Sequence, residues 1–424
     1  MPTSLPMTRV RQRLYSRALR DIDGHVARLV TASGISRRVR PGGRIAITGG
    51  SRGIANIARI TAATAATLRQ MGYQPFIVPA MGSHGAGVAP GQVEVLASLG
   101  ITEESCGCPI RATMDVVEMG RTRSGVMAYL DRFAYEADGI VVINRVKKHT
   151  DFRAPIESGV AKMIAIGLGK RKQADLLHSY GAPGLIHHVP EVAEVLIASG
   201  RVSLGLAIVE NGYDETADIV ALEPETLLER ERALLRTVKR NSPRLPFDDI
   251  DVLVVERIGK NISGTGMDTN VIGRLKVAGI DDPATPRIQA LVALGLTPES
   301  HGNAIGIGLA DIVSQRLVDD MDRTATYVNG ITSGFLDRIK IPVTLPTDET
   351  AVGTAISRLA PESQACPRVA RIQDTLHIAE LDVSEALLGE ARLHHRRMEL
   401  ARYDGIHADA LGRVLRLVVG LGPQ

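Results

Sequence analysis

Three features of the sequence predict an α/β protein of two Rossmann-like domains: its length, its alternation of apolar runs with helical patterns, and a proline-bearing stretch near the middle. At 424 residues the chain exceeds what one hydrophobic core ordinarily organises. Short apolar runs separated by longer segments with apolar residues at helical spacing mark strands joined by helices. The stretch Asn241–Asp249 (NSPRLPFDD) supplies the break. The expected domains are residues 1–243 and 250–424, meeting at a cleft that holds the active site.

The elements follow in order. Arg44–Thr48 (RIAIT) reads as a strand ended by the turn Gly49-Gly50, and the Ala-rich Ile54–Met71 reads as a helix. Pro75–Pro79 (PFIVP) is the next strand and runs into the loop Gly82–Gly87 (GSHGAG). Gly139–Asn144 (GIVVIN) is a strand leading to Arg145–His149 (RVKKH), and Ser203–Glu210 is another. Glu223–Arg240 is a charged amphipathic helix. Beyond the linker, Asp251–Glu256 (DVLVVE) restarts the pattern, with Ala304–Gly308, Lys340–Leu345 and the helix Thr347–Leu359 carrying the second unit. The first-domain strands end in loops holding Gly, His and Lys, and carboxyl ends of strands are where open α/β sheets bind ligands.

Composition excludes several classes. Fifty Lys and Arg against 47 Asp and Glu leave +3, with basic clusters such as Arg37–Arg40 short and dispersed, and there is no Trp for base stacking. Nucleic acid is therefore not an expected partner. No stretch reaches the ~18 apolar residues of a membrane span, so no membrane is expected, and the amino terminus lacks a secretory apolar region. Cys106, Cys108 and Cys366 are too few and too odd in number for a disulfide framework, which points to the cytoplasm.

Thr48–Ile54 (TGGSRGI) looks like the phosphate loop of short-chain dehydrogenases. Those enzymes need a Tyr four residues before a Lys, and none of the eight tyrosines meets that requirement. The loop, with Ser51 and Arg52, remains able to bind a phosphate through backbone amides and the guanidinium.

The chemistry is carried by His84, His149, Lys162 and His178. His84 lies between small residues in GSHGAG, and His149 closes RVKKH just past a strand. Lys162 stands in the small, apolar segment Ser158-Gly-Val-Ala-Lys162-Met-Ile-Ala-Ile-Gly, and His178 follows sixteen residues later. Singly, a strand-end histidine is most often a surface residue and a lysine near glycines a solvated one. The joint arrangement carries the inference. His187-His188, at an expected helix start, and His301, His394 and His395, in polar contexts, take the structural reading.

This arrangement resembles the lactate racemase family over most of residues 40–280, most strongly from Val142 to His178. The resemblance implies that Lys162 tethers a nickel-pincer nucleotide (pyridinium-3-thioamide-5-thiocarboxylic acid mononucleotide) through a thioamide. It implies His178 as the nickel ligand and His84 and His149 as the acid/base pair. Ser51, Arg52, Gly82, Ser83 and Lys170, the last in Gly-Leu-Gly-Lys170, are the expected further cofactor contacts. A pincer supplying S, C and S donors leaves one in-plane nickel position, which a neutral imidazole suits. Lys162 must be deprotonated to be acylated, and an apolar setting lowers its pKa in that direction.

The implied activity is an isomerase: a racemase or epimerase of a 2-hydroxy acid or sugar acid, working by reversible hydride transfer. Cofactor-maturation enzymes are implied partners, and a homo-oligomer stays open. Three departures shift the expectation away from lactate itself, the first being an interval of thirteen residues from His149 to Lys162, longer than the resemblance leads one to expect. The position three before Arg52 is Gly49 where the family places an acid, and Asn261–Asn270, with Arg274 and Lys276 after it, stands where the family holds the lactate carboxylate. Substrate-carboxylate candidates are Arg52, Lys260 and Arg274. The alternatives are a cofactor-free relative binding a phosphorylated ligand and a hydrolase with a metal on His84, His149 and His178.

Overall fold

The computed structural model describes residues 5–393 and 398–400. The chain divides into two compact units, Tyr15–Ser242 and Met1–Leu14 together with Pro243–Gln424. The first strand, β1 (Met7–Gln12), thus departs from the expectation that residues 1–243 form one domain. It pairs antiparallel with a strand near the other end of the chain, through Val10 opposite Leu381 and a two-point Arg9–Asp382 pair at 2.8 and 3.0 Å. The partner lies 373 residues away, so no local pattern in MTRVRQ reports it.

The Tyr15–Ser242 unit contains β2 (Arg44–Gly49), β3 (Gln74–Pro79), the hairpin β4 (Val116–Arg121) and β5 (Met127–Asp131), β6 (Gly139–Arg145), β7 (Val202–Glu210) and β8 (Thr216–Leu222). Its main sheet runs β3-β2-β6-β7-β8, parallel except for β8. The strands are near-continuous buried runs, as expected where both faces are covered. On one face Ile45, Ile47, Val141, Ile143 and Leu206 pack with Val26 and Val30 of the helix Ile22–Ala32 and Ile60 and Leu68 of the helix Ile57–Gln70. That second helix starts three residues after the expected Ile54, because Asn56 is left-handed (φ 60°) and Glu210 Oε1 takes the Ala55 N–H at 2.7 Å. His187 and His188 fall inside the helix Gly181–Ala198, not at its start.

The second unit contains β9 (Asp249–Val255), β10 (Arg287–Ala293), β11 (Ile312–Ser314), β12 (Val343–Leu345), β13 (Val369–Ile372), β14 (Glu380–Ser384) and β15 (Met398–Leu400). With β1 they form one sheet in the order β12-β11-β10-β9-β13-β14-β1-β15. β9 to β13 run parallel, and β14, β1 and β15 alternate in direction. The expected helix near Thr347 is Asp348–Ser357, begun by a capping box between Thr347 and Thr350. Ala304–Gly308 is a buried connection leading into the tight turn Ile307–Leu309, with Gly306 at φ 95°. Of the expected linker, Asn241 ends a helix and Asp249 opens β9. His394 and His395 lie outside the described residues. Among the described residues no helix is long and apolar enough to cross a membrane.

Candidate functional site

The strand order places a switch point between β2 and β6: the chain goes from β2 outward to β3, then returns to the other side of β2 as β6. At such a point two successive loops leave the sheet in opposite directions and open a crevice at the carboxyl ends. Here the ladder between β2 and β6 stops at Ile47–Val141, and Thr48 Oγ1 then takes the Ile143 N–H at 2.9 Å. Ser51 and Arg52 follow β2, Gly82, Ser83 and His84 follow β3, and His149 follows β6.

The His84 loop is tightly specified. Gly85, Ala86 and Gly87 all have left-handed φ (66°, 56°, 66°), a run that glycine tolerates and alanine holds under strain. A Cβ on Gly85 would lie 2.6 Å from Gln92 N, so this position must be glycine. Ser51 Oγ lies 2.5 Å from His84 Nδ1 and fixes the ring across the two loops. Underneath, the Gln92 amide donates to Gly82 O at 2.9 Å and His84 O at 3.3 Å.

Lys170 completes that support. It is fully buried and donates to Pro79 O and to Gln92 Oε1. Its Nζ also lies 3.1 Å from Asp131 Oδ2, an ionic contact too oblique for a hydrogen bond. Three protein oxygens therefore surround the ammonium. Enclosed in this way, Lys170 braces the His84 loop from inside.

His149 sits on a loop closed at its ends by the Lys147–Ser158 bridge and organised from inside by Glu157, which is 1% exposed. Glu157 accepts the N–H groups of His149 (2.7 Å) and Ala154 (3.0 Å) and is paired with Lys239 at 2.5 Å. Phe152 stacks on the His149 ring at 4.2 Å. Asp151 N–H points at His149 Nδ1 (3.1 Å), so Nδ1 is the acceptor and the neutral ring carries its proton on Nε2. Nε2 lies 2.6 Å from Lys162 Nζ. Above pH 8, where the amine is mostly neutral, the imidazole N–H can donate to its lone pair.

Lys162 ends the short helical turn Val160–Lys162, and the chain then widens into a π-turn in which Leu168 N donates to Met163 O, five residues back. Such turns recur at functional sites. Burial pulls the Lys162 amine down to about 8, Arg52 and Lys147 push the same way, and Asp151 opposes them. At the start of the turn the buried Glu231 accepts the Ala161 N–H at 3.1 Å, and burial raises this carboxyl to about 7.

Charge coupling ties the remaining residues to this pair. His178 ends the helix Lys170–His178, and its pKa is lowered first by the surrounding protein and then by the Lys162 charge. Arg52 is lowered by the surrounding protein and by Arg145, and Asp151 opposes this. Both side chains reach solvent, yet protein atoms still displace part of the water that would hydrate their charged forms. Arg145 itself is paired with Glu210, which also holds Ala55 N.

Of the expected residues, the structure brings His149 and Lys162 into contact, couples Arg52 and His178 to Lys162, and joins Ser51 to His84. Gly82 (φ 61°) is buried in the loop base, and Ser83 is exposed. Sequence reasoning missed Asp151 as the shared counter-charge of Arg52, Lys162 and His178, although its place two residues after His149 was visible. It missed Gln92, Glu231 and Lys239 altogether, since nothing local marks them, and gave Glu157 no role. His188 contacts Ser124 and Glu191, a tie between the β4–β5 turn and its helix. Among the described residues no group of three His, Cys, Asp or Glu side chains is placed to hold a metal by itself. The three-histidine hydrolase centre is therefore not assembled.

No family model matches the chain, and no curated protein does either. Among solved structures it is similar to the lactate racemase apoprotein from Thermoanaerobacterium thermosaccharolyticum, with a TM-score of 0.51 and 11% identity over 86% of this chain and 94% of that one. A Thermotoga maritima protein is similar with a TM-score of 0.48 and 13% identity, over 66% of this chain and 72% of that one. The first likeness shows the fold, a two-domain α/β architecture like that of the racemase apoprotein.

Proposed function

We propose that this chain is an isomerase, a racemase or epimerase of a 2-hydroxy acid or sugar acid, that carries a nickel-pincer nucleotide on Lys162. The observation that carries the reading is the 2.6 Å contact between Lys162 Nζ and His149 Nε2, with His178 electrostatically coupled to the same amine.

The residues present fit the group. Lys162 is drawn toward the neutral amine that acylation requires, and His178 toward the neutral imidazole that ligates a metal. One imidazole suffices where the other donors come with the cofactor. When bound, the group supplies a hydride acceptor and donor for the hydrogen on the substrate's hydroxyl-bearing carbon. Arg52 and Lys147 add positive charge for a phosphate or a substrate carboxylate.

His84 and His149 move the hydroxyl proton. Each configuration presents its hydroxyl differently, so one imidazole serves as base for one configuration and as acid for the other. Ser51 orients His84, and Asp151 N–H sets the tautomer of His149.

The test is production alongside cofactor-maturation enzymes, followed by nickel analysis and intact mass of the Lys162 peptide. A covalent adduct on Lys162, absent from Lys162→Ala, and loss of optical rotation from chiral hydroxy acids are expected. A nickel-free, unmodified Lys162 peptide from such cells would overturn the assignment.

A further inference from the structure

Two side chains on one face of the helix Leu227–Asn241 reach the frameworks of both members of the Lys162–His149 pair. Glu231, 1% exposed, caps the turn that ends in Lys162 by accepting Ala161 N–H at 3.1 Å, and also accepts Val160 N–H. A Cβ on Gly159 would lie 2.4 Å from its Oε1, so the backbone is pressed directly onto the carboxyl. Eight residues on, about two helical turns, Lys239 pairs with Glu157 at 2.5 Å and donates to Ala154 O at 3.1 Å. Glu157 in turn holds the backbone N–H of His149. The two supports end 2.6 Å apart, at Lys162 Nζ and His149 Nε2.

We propose that Glu231 and Lys239 are positioning residues: the helix that bears them acts as a rigid brace that sets Lys162 against His149 and keeps the amine reactive. Neither residue touches the reacting atoms. Both act through backbone: Glu231 through the first N–H groups of the Lys162 turn, Lys239 through Glu157 and the His149 loop. A carboxylate at a helix start satisfies donors that have no partner within the turn. A buried carboxylate gripping a loop is weakened when its cation is removed.

The inference rests on the proposed function only in taking Lys162 and His149 as the working pair, and its test uses the whole chain made without any cofactor. The chain is treated with an acetylating reagent at pH 8, and the rate at Lys162 is followed by peptide mass spectrometry, with the exposed Lys172 as internal reference. With a pKa of about 8 the amine is roughly half neutral at that pH; at the ordinary value of about 10.5 the neutral share is ~0.3%. Lys239→Met and Glu231→Gln are expected to slow Lys162 labelling by ~10-fold or more, while Lys172 is unchanged. Lys239→Arg, which keeps the pair with Glu157, should restore the parent rate.

The direction separates positioning from simple charge. Were Glu231 acting only as a nearby negative charge, its removal would favour the neutral amine and speed labelling. Unchanged or faster labelling in both variants, or failure of Lys239→Arg to rescue, overturns the brace. A Lys162 in the parent chain no more reactive than Lys172 would instead remove the tether reading, and the brace with it. Lys239 is one-third exposed, so Lys239→Met keeps the test open if Glu231→Gln does not fold.

Discussion

Replacing Lys170 by methionine tests whether this lysine is structure or chemistry. The substitution keeps length and most of the volume but deletes an ammonium that is fully buried against Pro79 O, Gln92 Oε1 and Asp131 Oδ2. Asp131, also fully buried, is left without its cation, and its other oxygen still caps Ala134 N at 2.9 Å. Removing one partner of a buried pair costs about 3–5 kcal/mol, and at ~2–4 °C per kcal/mol for a unit of this size the Tm should fall by ~6–20 °C. Burial already raises the Asp131 carboxyl above 3.8, and without Lys170 it is raised further. A raised acid stabilises the fold below its unfolded pKa, and that stabilisation is lost as pH rises through the folded value. The deficit of Lys170→Met against the parent should therefore be smallest near pH 4 and largest at neutral pH, as read by urea unfolding followed by circular dichroism. Adding Asp131→Asn, which keeps the cap and removes the stranded charge, should recover part of the loss. A deficit under ~1 kcal/mol, or one independent of pH, would refute the account of Lys170 as an internal brace.

The other predictions concern the site. Gly85→Ala forces a left-handed φ and a 2.6 Å contact on the His84 loop; it should cost about 1–3 kcal/mol and lower turnover of the loaded enzyme more than it lowers Tm. His84→Ala and His149→Ala should each slow both directions of the reaction by about 10²–10⁴ without loss of nickel, whereas His178→Ala should lose nickel and keep the Lys162 adduct; metal analysis with peptide mass separates these. Glu231, raised by burial from 4.5 to about 7, stabilises the fold fully below pH 4.5 and loses that contribution as pH rises through 7. The stability difference between parent and Glu231→Gln should thus fall by up to ~3 kcal/mol across that window, and a difference flat with pH in urea titrations would contradict it.

Burial and chain reversal explain which features were readable in advance. The strands beginning at Arg44, Gly139 and Val202 showed as apolar runs because a parallel strand covered on both faces has little use for polar residues. The loops after them showed as Gly, His and Lys, in contrast to the apolar strands that they end. By itself the sequence determined the α/β class, and it offered a break before Asp249 and a short list holding His84, His149, Lys162 and His178 as expectations. Only the tertiary structure decided that β1 joins the sheet of the second unit, since its pairing with β14 depends on a partner more than 350 residues away. The surroundings of the two lysines were likewise not readable in advance. Lys162 and Lys170 both follow small, apolar residues. Their neighbours in space differ: an imidazole nitrogen for Lys162, and a carboxylate, an amide and a carbonyl oxygen for Lys170. The chemistry of an amine is set by what surrounds it in three dimensions, and Asp131, Gln92, Glu231 and Lys239 come from elements that the local pattern around each lysine does not contain.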